Sequence, residues 1–383
     1  MKESKIYDIA IIGAGASGLM SASLMPNKNI AIIEINSKIG LKILASGGGK
    51  CNVTNKNVTE NNYLGDKEFI KKTLNHFTPK ELLSFLDKFQ LQLETRKYGQ
   101  YFCKNSAKDL VKIFENLTRH CHFFMNSSVL SVEFNKIFKI KTTKKTIEAK
   151  KVIVASGGIS YTTLGASSIG YEIAKSFGHT VITPAPALVG LTVQKEQFWM
   201  KKLSGISFNV KLRVEEKVLE SDLLFTHKGI SGPVVLSGSL YWKKGKITLD
   251  FLPDGDLTKL LDKKVKKHIS SCIPLPKRFL TEFLNSLKVE DKPINKLKND
   301  EIEKIKTLKN YEFAPAGNFG FTKAEVTKGG ICTDEIDART FESKLQENLY
   351  FIGEVLDITG ELGGYNFQWA FASANTLAKH MAI

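Results

Sequence analysis

A glycine-rich turn between an apolar strand and a helix lies near the N-terminus and constrains the fold most. Residues 6–12 read Ile-Tyr-Asp-Ile-Ala-Ile-Ile, a run typical of a strand buried on both faces of a parallel sheet. Gly13-Ala14-Gly15-Ala16-Ser17-Gly18 follows directly, then a segment with helical character. A second apolar run, 30–33, ends at Glu34. This order of elements predicts a dinucleotide-binding α/β unit.

Each glycine of this turn has a separate physical role. Gly13 permits the tight turn, Gly15 lets a pyrophosphate approach the backbone, and Gly18 lets the helix pack closely on the strand. The helix N-terminus offers N–H groups and a positive dipole end to the phosphates. Glu34 stands where an acid accepts hydrogen bonds from ribose hydroxyls. The predicted contacts are Gly13, Ala14, Gly15, Ala16, Ser17, Gly18, Glu34 and Ile35, and they leave both FAD and NAD open.

A second glycine cluster follows within residues 40–55, which read Gly-Leu-Lys-Ile-Leu-Ala-Ser-Gly-Gly-Gly-Lys-Cys-Asn-Val-Thr-Asn. Three successive glycines make a backbone that is free to wrap a planar or anionic group. An NAD domain would normally continue into its next helix here. The segment therefore favours a cofactor that extends beyond its pyrophosphate toward a reactive ring.

This segment resembles the signature of the HI0933-like flavoproteins, also described as the BaiN or aminoacetone-oxidase group. The resemblance implies that FAD is the cofactor and that the segment runs along the flavin. The contacts that it implies here are Lys42, Ser46, Gly47, Gly48, Gly49 and Asn52.

Two further segments carry the same resemblance. Residues 129–148 read as a small β-meander, and a buried strand then ends in Ala155-Ser156-Gly157-Gly158. Near the C-terminus, a strand ends at Gly353-Glu354 and is followed by a glycine-rich turn and a final helix. A helix N-terminus near the flavin would stabilise negative charge on the reduced ring. The implied FAD contacts are Val129, Ala155, Ser156, Gly157, Gly353, Glu354, Asp357, Gly363, Gly364, Tyr365 and Asn366.

The fold class expected from these segments is α/β. It comprises a Rossmann-like, glutathione-reductase-like FAD-binding domain with an inserted β-barrel domain and a small helical subdomain. The FAD-binding domain is discontinuous, 1–187 with 322–383, because its first and last segments both approach the cofactor. The barrel-like insert is expected over 188–255 and 311–321, and three lysine-rich helices over 256–310.

No catalytic residue can be assigned from the sequence. Cys51 is a candidate redox thiol, but it has no partner cysteine and is better explained as a small buried residue. His227 is a candidate acid or base within a second signature, Leu223 to Pro233, but is better explained as a turn residue. The Cys121 side chain cannot join both neighbouring histidines on one face of a strand, so no metal site is expected.

The amino-acid composition bears on which classes of partner the protein is expected to bind. The formal charge is +16, yet only five of the 55 basic residues are arginine, the residue that reads bases and phosphates bidentately. The densest cluster, residues 263–267, is interpreted as the solvated face of a helix. Nucleic acid is therefore judged unlikely as a partner, although not excluded. The five cysteines form no Cys-x-x-Cys pair, no apolar run is long enough to span a membrane, and a cytoplasmic protein is expected.

Several functions remain open. The first is an FAD-dependent oxidoreductase that transfers hydride between flavin N5 and a small organic substrate. Because no second strand–GxGxxG–helix unit follows, the reducing equivalents would come either from NAD(P)H as a transient co-substrate or from the substrate itself. The alternatives are an aminoacetone or amino-acid oxidase that uses oxygen, a flavoprotein that binds or modifies tRNA, and a non-catalytic flavin-binding protein. Substrate, electron acceptor and oligomeric state are not determined by the sequence.

Overall fold

The computed structural model describes residues 5–381. This part of the chain folds as two compact units. The first comprises the described residues of Met1–Pro186 and Glu325–Ile383, and the second is Ala187–Ala324. The first unit is therefore built from two separate stretches of sequence.

The strands and helices are as follows. The strands are β1 (Ile6–Ile12), β2 (Ile30–Ile33), β3 (Asn52–Asn55), β4 (Tyr63–Leu64), β5 (Leu93–Thr95), β6 (Gln100–Cys103), β7 (His122–Phe124), β8 (Val129–Asn135), β9 (Ile137–Thr142), β10 (Thr146–Val154), β11 (Val181–Ala187), β12 (Leu191–Thr192), β13 (Ser207–Val214), β14 (Lys217–Thr226), β15 (Gly229–Ser231), β16 (Ile247–Asp250), β17 (Tyr311–Phe313), β18 (Gly317–Asn318), β19 (Val326–Ile331), β20 (Leu349–Phe351) and β21 (Thr359–Gly360). The helices are α1 (Ala16–Ser23), α2 (Leu41–Ala45), α3 (Lys67–His76), α4 (Pro79–Asp87), α5 (Ala107–Leu117), α6 (Ile169–Ser176), α7 (Pro233–Tyr241), α8 (Leu257–Leu260), α9 (Ile269–Cys272), α10 (Lys277–Leu287), α11 (Asn299–Lys306) and α12 (Tyr365–Met381).

The main sheet of the first unit has a parallel core. Its order is β7-β2-β1-β10-β9-β8, and β20 also pairs with β10. The pairs β7–β2, β2–β1, β1–β10 and β10–β20 are parallel, whereas β8, β9 and β10 form an antiparallel meander. All four residues of β2 are buried, as its continuous apolar sequence requires.

Strand β10 has a divided edge. Its first half, from Thr146 to Ala149, pairs antiparallel with β9. Its last three residues, Val152 to Val154, pair in parallel with β20. The end of the sheet that leads toward Ala155 is therefore completed by a strand from the C-terminal stretch.

The second unit contains a seven-stranded sheet in the order β17-β16-β13-β14-β15-β12-β18, and its described pairings are antiparallel. Its core is mostly aliphatic and contains an aromatic cluster that includes Phe225, Phe251, Phe279 and Phe283. The two end strands do not pair with each other within residues 187–324. Closure into a barrel, and a separate helical subdomain, therefore stay predictions.

The interpretation of the lysine cluster as a helix face was wrong. Residues 263–267 lie between α8 and α9 and are not helical. The Asp262 carbonyl accepts a hydrogen bond from the Val265 N–H (2.8 Å), and its side chain accepts one from the Lys264 N–H (2.9 Å). This local turn replaces the helix because an Asp side chain competes for backbone donors.

Within residues 5–381, no helix combines the length and the apolar character that are required to cross a bilayer.

Candidate functional site

The phosphate turn between β1 and α1 leaves open space beside one glycine. A Cβ on Gly13 would lie 2.5 Å from the Ala155 carbonyl oxygen, and one on Gly18 would lie 2.0 Å from the Gly13 carbonyl oxygen. Packing of the turn therefore requires both glycines. A Cβ on Gly15, in contrast, would meet no atom within 4 Å. The protein itself does not require glycine at position 15, so this space fits a ligand.

The N-terminus of α1 is free to bind an anion. Its N-cap residue is Gly15, which supplies no side-chain hydrogen bond, and its first turn contains no acidic residue. The N–H groups of a first helical turn carry partial positive charge. Uncapped donors beside open space are the arrangement that a pyrophosphate requires.

Glu34, which is predicted to accept a hydrogen bond from a ribose hydroxyl, also stabilises this turn. It is 8% exposed. One carboxylate oxygen accepts a hydrogen bond from the Ala14 N–H (2.8 Å). The other accepts from the backbone N–H (2.9 Å) and side-chain amide (2.7 Å) of Asn36. Ile35 beside it is exposed. Each carboxylate oxygen has two lone pairs, so acceptor capacity remains for a ribose hydroxyl.

Val129 begins the meander close to this acid. The N–H of Ser127, two residues earlier, donates to the Glu34 carbonyl oxygen (2.9 Å), and the N–H of Asn126 donates to that of Asn36 (3.0 Å). The structure therefore places the start of β8 beside the end of β2. Glu34 and Val129, which were both predicted to contact the nucleotide, lie in these two segments.

The second glycine cluster forms a tight, left-handed turn. Gly47 and Gly48 have φ values of 56° and 66°, a region that favours glycine. A Cβ on Gly48 would meet no atom within 4 Å, whereas one on Gly47 would lie 2.8 Å from the Phe102 ring. Lys42 lies in α2, before this turn, and Ser46 begins it.

The C-terminal turn packs directly on β3, although some 300 residues separate them in sequence. The Asn55 side-chain amide donates to the Gly363 carbonyl oxygen (3.0 Å), and the Thr54 hydroxyl donates to the Gln368 amide oxygen (2.6 Å). A Cβ on Gly364 would lie 2.5 Å from the Thr54 carbonyl oxygen. Two segments that were each predicted to contact the flavin therefore contact each other.

The side chains of two residues that were predicted to contact FAD form hydrogen bonds to other protein groups. The Asn366 amide oxygen accepts from the Gly360 N–H (2.8 Å), and its nitrogen donates to the Gly360 carbonyl oxygen (2.9 Å). In the amide orientation that satisfies its neighbours, Asn52 accepts from the Gly364 N–H (3.1 Å). Both amides hold the turn at the start of α12.

The first helix also contacts the C-terminal stretch. Gly353 has φ 76°, and a Cβ there would lie 2.6 Å from the Ser17 hydroxyl oxygen. Its N–H donates to the Ser373 hydroxyl (3.1 Å), and the Trp369 indole N–H donates to its carbonyl oxygen (3.1 Å). The end of β20 is thereby held between α1 and α12.

An ion pair links the flavin segment to the C-terminal strand end. The Lys42 Nζ lies 2.6 Å from Oε2 of Glu354. Oε1 of Glu354 accepts from the Thr327 N–H (2.9 Å). The Thr327 hydroxyl oxygen in turn accepts from the N–H groups of Ile159 and Ser160 (2.9 and 3.0 Å), in the loop after Gly157 and Gly158. Lys42 and Glu354, both implied by the resemblance, thus belong to one connected network with Thr327.

Tyr171 in α6 was not predicted from the sequence. Its ring is 4% exposed, and its hydroxyl has no hydrogen-bond partner among the described residues. Burial raises its pKa, and the charges of Glu354 and Asp357 raise it further. A Cβ on Gly170 beside it would lie 2.2 Å from the Ser156 hydroxyl oxygen. A buried hydroxyl without a partner, close to predicted cofactor contacts, fits a missing ligand.

Two half-buried carboxyl groups belong to the same region. Burial raises the pKa of Asp357, partly offset by a hydrogen bond from the Gly329 backbone. Burial also raises the pKa of Glu325, partly offset by the charge of Lys42. Glu325, Thr327 and Tyr171 have no recognisable motif around them, so only the fold could reveal them.

The two weak catalytic candidates lie in different settings. Cys51 is fully buried, and burial raises the pKa of its thiol, so the thiol stays protonated. His227 is exposed in the two-residue loop between β14 and β15, in the second unit. All five cysteines are free, and residues 5–381 contain no cluster of three or more His, Cys, Asp or Glu side chains suited to a metal ion.

Comparison with known proteins gives full-length matches. The HI0933-like protein Rossmann domain matches residues 7–380. "Ribosomal RNA dihydrouridine synthase" of Escherichia coli (strain K12) is 36% identical over 394 residues, 98% of each chain. The protein of the same name from Haemophilus influenzae is 35% identical over 397 residues, again 98% of each. "3-dehydro-bile acid delta(4,6)-reductase" of Clostridium scindens is 32% identical over 400 residues, covering 95% of this chain and 96% of the relative.

Proposed function

The chain belongs to the HI0933-like family of FAD-binding flavoproteins, and on that premise we propose that it reduces uridine in ribosomal RNA to 5,6-dihydrouridine. The observation that carries the proposal is the full-length likeness to two relatives named ribosomal RNA dihydrouridine synthase. The family resemblance and the Rossmann-like α/β fold predicted from the sequence are confirmed. The composition argument gave nucleic acid too little weight, because these relatives favour an RNA substrate.

The reaction adds a hydride and a proton across one double bond. Uridine, NAD(P)H and a proton give dihydrouridine and NAD(P)⁺, with the hydride added at C6, conjugated to the C4 carbonyl, and the proton at C5. When bound, FAD supplies the hydride-transfer chemistry at its N5, and NADH or NADPH is the proposed source of electrons. The third relative's name also describes a reductase.

The proposed FAD contacts follow the geometry of the first unit. The uncapped N-terminus of α1 and the open space at Gly15 would hold the pyrophosphate. Glu34 and the start of β8 would hold the adenosine end. The glycine turn after Lys42 and the strand end at Glu354 would hold the ribityl chain and the flavin. The Tyr171 hydroxyl would gain the hydrogen-bond partner that it lacks in the described chain.

The proton added at C5 requires a donor group within the site. Glu325 and Asp357 are carboxyl groups of this region whose pKa burial raises. A carboxyl tuned in this way can act as a general acid. We propose that one of the two donates this proton. The pH profile of turnover in Glu325→Gln and Asp357→Asn variants tests which residue does so, and an unchanged profile in both would reject the assignment.

A second candidate is reduction of a small unsaturated ketone, supported by the bile-acid reductase among the relatives. A delta(4,6)-reductase and a dihydrouridine synthase both saturate carbon–carbon double bonds. The oxidase alternative predicted from the resemblance uses oxygen instead and releases peroxide from amines. These reactions differ in product, so one experiment separates them.

The decisive experiment supplies the FAD-loaded protein, anaerobically and with NADPH or NADH, with unmodified ribosomal RNA. Nucleoside mass spectrometry of the digested RNA is expected to show a 2 Da gain on uridine, as the addition of two hydrogens requires. Parallel reactions contain an unsaturated 3-oxosteroid, or aminoacetone with oxygen. Reduction of the steroid without reduction of RNA, or peroxide from the amine, would reject the RNA proposal.

A further inference from the structure

Four exposed lysines lie together on the surface of the second unit, Lys263, Lys264, Lys266 and Lys267, here called the lysine ridge. We infer that the lysine ridge docks the protein on the phosphate backbone of its RNA substrate. The inference rests on the proposed function, because that function supplies the polyanion. It goes further by naming the surface that holds the RNA.

The backbone of the lysine ridge is ordered by its neighbours. The N–H of Asn295 donates to the Val265 carbonyl oxygen (3.1 Å), and the N–H of Ile294 donates to that of Lys267 (3.0 Å). The Asp262 turn fixes the first residues, and the Val265 side chain packs against the core of the unit. The four ammonium groups are therefore presented from a fixed backbone, which lowers the entropy lost on binding.

The lysine ridge carries a net positive charge, because its four lysines are accompanied within residues 262–268 by one carboxylate, that of Asp262. Among the described residues, none of its four lysines has a carboxylate within 4.0 Å, and the Lys263 Nζ donates to the neutral Asn299 amide oxygen (2.7 Å). Other lysines of the unit are neutralised, as Lys292 is by Glu301 (2.8 Å). The adjoining segment adds the exposed Lys296. Uncompensated cations in one place attract a polyanion by releasing its counterions.

The chemistry of the ridge fits phosphates rather than bases. Lysine is a point charge without the fork that reads base edges, so these contacts position the RNA without selecting its sequence. Residues 262–267 contain no aromatic ring on which an unpaired base could stack, and the adjoining His268 imidazole lies with its Nδ1 3.1 Å from the Asp291 carbonyl oxygen. An anionic membrane would also attract lysines, but surface binding requires an exposed apolar face. The only apolar residue here, Val265, is half-buried.

The test compares two quadruple variants of the full-length, FAD-loaded protein. One changes Lys263, Lys264, Lys266 and Lys267 to Gln. The matched control changes four exposed lysines of the first unit, Lys71, Lys72, Lys88 and Lys112, to Gln. Affinity for a ribosomal RNA fragment is measured at several KCl concentrations, with reduction of the flavin by NADPH as the test of an intact protein.

The ridge variant is expected to bind RNA at least about tenfold more weakly, with a salt dependence shallower by about 2–3 in log–log slope. The control should lose less than about threefold. Equal losses in both variants, or no loss in the ridge variant, would overturn the inference while leaving the proposed function intact. Wild-type protein that neither binds nor modifies RNA would overturn both. Binding to phosphatidylserine vesicles that depends on the ridge, without RNA binding, would also overturn the inference.

Discussion

The Lys42 ammonium lies 2.6 Å from the Glu354 carboxylate, across 312 positions of sequence. Both residues were predicted to contact the cofactor, and the structure shows that they contact each other. The pair joins the helix before the flavin turn to the end of β20. The pair therefore links two chain segments that are both predicted to contact the cofactor.

Removing both members of this pair is expected to destabilise the protein by less than the sum of the two single removals. A single Lys42→Met or Glu354→Gln change leaves the partner charge uncompensated in a half-buried position, at a cost of about 1 kcal/mol. The double variant should lose less than the sum of the two. Urea unfolding of all four proteins, with and without FAD, gives the coupling free energy. Strict additivity would show that the pair is not coupled.

Two glycines of the phosphate turn should respond in opposite ways. Gly18→Ala places a Cβ 2.0 Å from the Gly13 carbonyl oxygen and should destabilise the apoprotein by about 3 kcal/mol. A Cβ on Gly15 would meet no protein atom within 4 Å, and its backbone angles are φ −87° and ψ −165°, so Gly15→Val should cost the apoprotein only about 1 kcal/mol, as a less favourable N-cap residue.

The Gly15 variant should nevertheless lose FAD, because its side chain fills the space proposed for the pyrophosphate. Thermal unfolding of the apoproteins and the absorbance of retained flavin measure the two effects separately. Normal flavin retention in Gly15→Val would contradict the phosphate assignment.

The Tyr171 hydroxyl should matter only when FAD is bound. Tyr171→Phe removes a group that has no partner, so apoprotein stability should change by less than about 0.5 kcal/mol. FAD affinity should fall about tenfold, as the loss of one hydrogen bond implies.

Tyr63→Phe is the comparison for stability. The Tyr63 hydroxyl is fully buried and donates to the Tyr365 carbonyl oxygen (2.9 Å), so its loss should cost the apoprotein about 1 kcal/mol. Fluorescence titration with FAD and urea unfolding provide the two measurements. A destabilised Tyr171→Phe apoprotein with unchanged FAD affinity would show a purely structural role.

His179 should make the fold sensitive to mild acid. Its Nε2 lies 2.7 Å from the Ser343 hydroxyl and its Nδ1 lies 3.2 Å from Glu335. Burial lowers its pKa, which outweighs the opposing effect of Glu335. Because the unfolded chain takes up the proton first, stability is complete above about pH 6.5 and falls as the pH drops below it.

Thermal unfolding between pH 7.5 and 5.5 is therefore expected to show a larger loss for the wild type than for His179→Gln. The variant keeps an amide that can bond to both neighbours but cannot titrate in this window. Parallel curves for the two proteins would show that another group is responsible.

The sequence predicted the parts of the site that depend on local rules. Gly13 and Gly18 are needed wherever a strand turns tightly into a packed helix, so their spacing is readable. The contact between Thr54 and Gln368 depends on how distant segments meet, which no local pattern encodes. Tyr171 was missed because a hydroxyl without a partner is a property of the folded environment.

The wrong prediction of a helix over residues 263–267 arose instead from a local signal that was overlooked. Four lysines around Val265 have a composition compatible with a helix, but Asp262 directs the backbone into a turn. The local hydrogen bonds of one Asp side chain outweigh the favourable helix propensity of several lysines. The same residue also brings the lysine ridge to the surface as a turn.

The divided edge of β10 has a consequence for synthesis of the chain. Val152 to Val154 leave the ribosome about 200 residues before β20, their parallel partner. At a translation rate of about 5–20 residues per second, β20 is synthesised roughly 10–40 s after this edge, which stays unpaired during that interval. The second unit, one uninterrupted stretch, is completed within that interval. The nascent first unit thus carries an open sheet edge, and the strand end at Glu354, which is proposed to contact the flavin, is among its last parts to form.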